Sequence, residues 1–158
     1  MTKEERVSKV LNDFLKLQGY SNVTAKYNEL MDSYYSANPV MGEIVLGGIT
    51  NPAADEVFVE YCEKDLGLTV EISVETLAFL HELGHHNTLD FIDDIDIIAS
   101  DIIKEILYMQ DEETEEAFMK YFTCPVEQEA TVDAVNFCNH NPEVVMQLDK
   151  DLLAALYE

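Results

Sequence analysis

Val7, Val10, Leu11, Phe14 and Leu15 recur every three to four positions, the period that puts them on one face of an α-helix. Thr2 followed three residues later by Glu5 forms a capping box ahead of the run and Gly19 closes it, so a helix is predicted over residues 3–18. The next segment, SNVTAKYNELMDSYYSANP, sets Val23, Tyr27, Leu30, Met31, Tyr34 and Tyr35 on a second helical stripe, ended by Asn38 and Pro39.

From residue 42 the period shortens. EIVLGGITNP is a short apolar run closed by turn residues, EVFVEYC alternates Val57, Val59 and Tyr61 against Phe58, Glu60 and Cys62, and GLTVEISV alternates Leu68, Val70 and Ile72 against Thr69, Glu71 and Ser73. These predict three strands, the last running into a helix that Ser73 caps and Glu75 favours at its positive end. The polar outward side of that last strand would leave an edge open to an extended peptide.

Helix dominates the remainder. Phe91, Ile95, Ile98, Ile102 and Ile106 form a long stripe, with Asp90, Asp93, Asp94, Asp101 and Glu105 largely on an opposite, solvated face. DEETEE (111–116) opens a further helix, PVEQEATVDAVNFC another after Pro125, and Asn141 with Pro142 starts the last. The expectation is one α+β domain over 1–158, mostly helical, with a small three-stranded sheet against the helix that follows it. Its parts are helices at 1–40, the sheet at 42–74, the central helices at 74–140 and a C-terminal helix at 141–158.

Charge narrows the partners. Against 32 acidic residues stand 9 basic ones, a formal charge of −23, which repels phosphate backbones and anionic membrane surfaces and favours cations and basic proteins. No stretch approaches the roughly 18 apolar residues of a membrane span, and MTKEERVSKVLNDF has no apolar leader core. Cys62, Cys124 and Cys138 lack CxxC spacing and read as buried free thiols in a reducing, cytoplasmic compartment. The acidic run DDIDIIASD lacks the central Gly and final Glu of a calcium loop and reads as surface.

The chemistry concentrates in FLHELGHHNTLDF, residues 79–91. His81 and His85 stand one helical turn apart on one face and can aim both imidazoles at one metal ion. Random placement of this chain's residues would produce HExxH about 0.01 times. A catalytic zinc needs a third protein ligand and an open position for water. The downstream helix offers Glu129 as that ligand. Asp133, one turn further, is placed to orient a histidine through its other ring nitrogen. Glu82 is the group expected to take and return the proton of the bound water. Gly84 inside the helix costs roughly 1 kcal/mol against alanine, which a close approach of the glutamate helix would explain. His86 lies off the ligand face. His140, near the end of the glutamate helix, is a candidate oxyanion stabiliser, with Tyr121 and Tyr157 weaker ones.

HELGHH on a helix, preceded by LTVEIS and followed by EATVD on a second helix, resembles the gluzincin metallopeptidases, and more closely the compact ImmA/IrrE-type proteins of bacteria and their phages. The resemblance covers roughly residues 66–140. It implies a zincin-like fold, a small sheet over the motif helix with the glutamate helix behind. It also implies a single zinc ion held by His81, His85 and Glu129, with Glu82 as general base and acid. That family's segment often reads ExEAN before a Phe and Ala, whereas here Asp133 holds the Phe position, so Glu127 stays open as an alternative third ligand. The expected activity is hydrolysis of a protein or peptide substrate of basic character. The rival reading is an acidic interaction module, a mimic of nucleic-acid charge, with a structural or vestigial zinc site.

Overall fold

The computed structural model describes residues 1–32 and 41–158, together with the backbone of residues 37 and 38. Helix α1 (Lys3–Leu17) starts as the capping box dictates, with Thr2 Oγ1 accepting from the Glu5 amide and the Glu5 carboxylate accepting from the Thr2 amide. It buries Val7, Leu11, Phe14 and Leu15.

Where it is described, the second helical stripe is not a helix. Its first part is strand β1 (Thr24–Asp32), in which Ala25 and Tyr27, continuing from Val23 just before it, turn inward while Thr24 and Lys26 stay in solvent. A period of two and a period near four both fit Val23 and Tyr27, and the pairing decides: β1 runs parallel to β3 (Glu43–Ile49) with Ala25 opposite Ile44 and Tyr27 opposite Leu46. Leu30, read as part of the stripe, is exposed. Tyr34, Tyr35 and Pro39 lie outside the described residues.

The strand's other side is satisfied from α1. Asn12 donates to the Ala25 carbonyl and accepts from its amide, and Ser8 Oγ accepts from the Tyr27 amide. These side chains occupy backbone groups that an edge would otherwise offer to another strand. β3 also pairs antiparallel with the two-residue β2 (Ala37–Asn38). The register between β1 and β3 shifts after Asn28. Gly47 and Gly48 lie under that irregularity, where a Cβ would meet Met31 O at 2.4 Å and Glu29 Cα at 2.6 Å.

The other two predicted strands do not form. EVFVEYC lies in α2 (Pro52–Glu60), which continues into a wider π-type turn at Tyr61–Asp65. Asn51 caps it and Pro52 sets its first turn, while Ala54, Phe58, Tyr61 and Cys62 share its buried side. The local alternation of valines is overridden by these start signals and by that longer-range period.

In GLTVEISV, residues 68–73 form neither helix nor strand, and Leu68, Val70 and Ile72 do turn toward the core, but the segment pairs with no strand among the described residues. Asn139 accepts from the Thr69 amide and donates to the Gly67 carbonyl, and Asp149 accepts from the Ser73 amide. Side chains of two helices thus take the place of a ladder at these groups.

Helix α3 (Val74–Thr88) follows, capped by Ser73 and buried almost all round from Thr76 to Gly84. It lies between the main core, formed with α1, the sheet and α7 (Pro142–Tyr157), and a smaller cluster of Phe58, Tyr61, Leu77, Phe122 and Val135. Helices α4 (Asp94–Gln110), α5 (Glu115–Phe122) and α6 (Pro125–His140) complete the chain. The result is α+β and mostly helical. No helix among the described residues is long and apolar enough to cross a membrane.

Candidate metal centre

Gly84 fixes the distance between α3 and α6. A Cβ there would stand 2.2 Å from the Ala130 carbonyl oxygen and 3.0 Å from Ala130 Cα, so only a residue without a side chain lets the backbones meet. This is the close approach expected from the sequence.

Across that contact His81, His85 and Glu127 place their ligand atoms within 4.8 Å of one another. His81 Nε2 is 3.0 Å from Glu127 Oε1, and His85 Nε2 lies 3.2 Å from Oε1 and 3.1 Å from Oε2. The imidazole planes stand at 82° with centroids 4.7 Å apart. In a tetrahedral zinc site with bonds of about 2.1 Å, ligand atoms stand roughly 3.4 Å apart. The separations of both imidazoles from Glu127 fit such an ion after an outward movement of a few tenths of an ångström.

The carboxylate that joins the histidines is therefore Glu127, and the assignment of Glu129 is corrected. Two residues along a helix is a rotation of about 200°, and Glu129 accordingly points into solvent. Asp133 shares that displaced register. It accepts from Asn87 Nδ2 at 3.0 Å and orients no imidazole. The group one turn beyond the carboxylate is instead Thr131, whose hydroxyl lies 2.8 Å from His81 Nδ1 and 2.9 Å from the Glu127 carbonyl.

A carbonyl can only accept, so the Thr131 proton is committed to Glu127 O and His81 Nδ1 must be the donor to Thr131 Oγ1. The Nε2 of a neutral His81 then carries its lone pair toward the ligand cluster. A bare lone pair cannot sit 3.0 Å from a carboxylate oxygen without repulsion. Either a proton or a metal ion has to lie between them.

The charges agree. Burial alone would depress His81, but the hydrogen bond and charge of Glu127 outweigh it and raise its pKa above the ordinary 6.5. Burial would raise Glu127, but the hydrogen bonds and charges of His81 and His85 hold its carboxyl well below the usual range. Glu82 is raised, first by burial. It is 4% exposed and feels the charges of His81, His85 and Glu127.

Three groups of this site were not foreseen. Lys104 reaches in from α4, its Nζ 2.8 Å from Glu127 Oε2 and 5.5 Å from the centre of the Tyr121 ring. It is the one basic side chain on α4, amid aspartates, glutamate and isoleucines, and that isolation was the available signal. Thr131 could have been found as the residue four beyond Glu127. Phe58 packs its ring edge-on against His81 at 5.6 Å, and only the fold brings it there.

The remaining candidates lie elsewhere. His140 is exposed, bonded to the Asn136 carbonyl, and about 20 Å along α6 from Glu127, thirteen residues at 1.5 Å each. It is out of reach of the centre. His86 packs its edge on Tyr20, and Tyr157 donates to Glu75 at the other end of α3. Tyr121 is near, through Lys104.

A cleft of about 490 Å³ is lined among others by Lys104, Tyr108, Phe118, Tyr121 and Phe122, with Glu105, Asp111, Glu112 and Glu113; its lining includes Lys104 but not His81, Glu82, His85 or Glu127. A larger one of about 710 Å³ lies between α1 and α7 and includes none of the metal-site groups. The first is the one that Lys104 connects to Glu127. Cys62, Cys124 and Cys138 are buried and unpaired, as expected. Compared with known proteins, the chain matches no family model, no curated protein and no solved structure.

Proposed function

We propose that this chain is a zinc-dependent metallopeptidase of the gluzincin kind, of the compact ImmA/IrrE type. The observation that carries the reading is the convergence of two imidazoles and a carboxylate from two helices, with a second buried carboxylate, Glu82, beside them on α3. A zinc ion held by His81, His85 and Glu127 would acidify a water and polarise a peptide carbonyl. Glu82 has the environment of a group that takes a proton and returns it to a leaving amine: it is buried, raised in pKa and within the field of both imidazoles. Thr131 holds His81 in the tautomer that presents Nε2. Lys104, between the centre and the cleft, takes the place proposed for His140 as the positive group available to a developing oxyanion. The acids around the cleft favour a basic substrate, and the buried thiols suit a cytoplasmic setting.

One observation favours a different reading. The Lys104 ammonium already balances Glu127, so the centre can be electrically satisfied with a structural or vestigial ion in an acidic interaction module. Glu82→Gln separates the two. The peptidase reading expects zinc-loaded wild type to cleave basic proteins and the variant, with equal zinc content, not to. Equal products from both, or none from either, would overturn it.

A further inference from the structure

We infer that the solvent face of α4 is a docking surface for an amphipathic helix of another protein, one with an apolar stripe edged by lysine or arginine. The inference does not rest on the metal centre. Ile95, Ile98, Ile102, Ile106 and Met109 are 78%, 58%, 53%, 49% and 77% exposed. Their spacings of three and four residues put them in one row about 21 Å long, from fourteen residues at 1.5 Å each. The sequence pattern called for this row to face a core, and in the fold it faces water instead.

The reason lies on the other side of the helix. Only Ser100 of α4 is fully buried, its Oγ accepting from the Val126 amide, and Lys104 on the same side is bound to Glu127. These two polar anchors fix the rotation of α4 on α6. Rolling the helix to bury the isoleucines would break both. A contiguous exposed apolar row on an otherwise charged surface marks an interaction site.

The edge of the row identifies the occupant. Asp94, Asp101 and Glu105, expected on the face opposite the row, are exposed and border it instead, within about 60° of the line through Ile98 and all on one side of it. A second copy of this chain is disfavoured: antiparallel pairing would set this acidic row against itself, and each molecule carries −23. An anionic membrane surface is repelled by the same charge. A helix with apolar residues at matching spacing and basic residues along one edge satisfies both the row and its border.

The test uses the full-length protein and a fluorescent peptide of about 18 residues, with leucines at three-and-four spacing and lysines along one edge. Its controls are the same leucine stripe edged by glutamates and the same composition scrambled. The lysine-edged peptide is expected to bind at least about tenfold tighter than either control, and less tightly at about 0.3 M salt. Ile98→Ser with Ile102→Ser should remove that preference, and Asp101→Asn with Glu105→Gln should reduce it several-fold and flatten the salt dependence. If the first pair disturbs folding by circular dichroism, Ile95→Ser with Met109→Ser, at the most exposed positions, asks the same question. Undiminished binding by the isoleucine variants would reduce the effect to bulk charge and overturn the inference. So would equal or absent binding of lysine-edged and scrambled peptides. A wild-type dimer by light scattering that the isoleucine variants dissolve would assign the face to a second copy and overturn it as well.

Discussion

The Nζ of Lys104 stands 2.8 Å from Oε2 of Glu127, on the carboxylate whose other oxygen faces His81 Nε2 at 3.0 Å. One buried anion therefore faces an ammonium and two imidazoles brought from two other helices. Burial alone would lower the Lys104 pKa, but the charge and hydrogen bond of Glu127 raise it, so the lysine stays charged. A divalent ion entering between the histidines has to share Glu127 with this cation.

Lys104→Met removes the competitor and leaves the carboxylate short of one partner. Breaking a buried ion pair costs about 3–5 kcal/mol. The loss here belongs at the low end, since two imidazoles still face Glu127. In the presence of a chelator the variant is expected to melt below wild type. Added zinc should then raise its melting temperature by more than it raises wild type's, because a positive charge beside the site is gone. An equal zinc-induced rise in both proteins, read by thermal unfolding, would mean that the lysine does not oppose the metal.

The legible part of this molecule is the part written locally. Thr2 with Glu5, Ser73, Pro125 and Pro142 mark helix starts through caps that depend on a few neighbouring residues, and each starts a helix in the structure. His81 and His85 could be paired because one helical turn joins them. Much of what failed depended on contacts distant in sequence, although EVFVEYC yielded to the local start signals of Asn51 and Pro52. Leu68, Val70 and Ile72 alternate as a strand would, yet Asn139 and Asp149, some seventy residues away, supply the hydrogen bonds. The choice between Glu127 and Glu129 turned on which face of α6 Gly84 admits, and Lys104 enters from a helix whose apolar row pointed to the opposite orientation.

Gly84→Ala puts those contacts under strain. Alanine is the better helix former by about 1 kcal/mol, so a helix free of neighbours would be stabilised. Here the new methyl meets the backbone of Ala130 at 2.2 Å, which cannot swing aside as a side chain would. A net loss of at least about 2 kcal/mol is expected from the overpacking, together with weaker zinc binding as Glu127 is pushed away from His81. Denaturant unfolding with and without zinc checks both. An unchanged or higher stability would show that α3 and α6 are further apart than described.

Thr131→Val keeps the volume and removes the hydroxyl. His81 Nδ1–H then points at a methyl group and the Glu127 carbonyl loses a donor, at a cost of about 1–3 kcal/mol. Zinc affinity should fall about 10- to 100-fold, the usual effect of losing the group that orients a ligand. Thr131→Ser should restore most of it. Competition against a chromogenic chelator gives the numbers. Wild-type affinity in the valine variant would mean that the tautomer of His81 is fixed by something else.

The metal-free protein should lose stability as pH rises through neutrality. His81 has its folded pKa raised above 6.5. Its contribution is fully present below 6.5 and disappears as pH climbs through the folded value. Glu82 is raised above 4.5, and its contribution fades in the same direction. Glu127 acts oppositely: depressed below 4.5, it stabilises above that pH and is lost only as pH falls through its low folded value. The maximum therefore lies on the mildly acidic side, between the loss of Glu127 below and the loss of His81 and Glu82 above. The proposed zinc ion would take the place of the proton on His81 Nε2, so metal binding should release protons and tighten as pH rises toward the folded pKa of His81. Denaturant midpoints measured across this range with chelator should fall with rising pH, and those measured with zinc should hold or rise. Parallel curves with and without metal would show that the proton on His81 and the ion do not compete for one place.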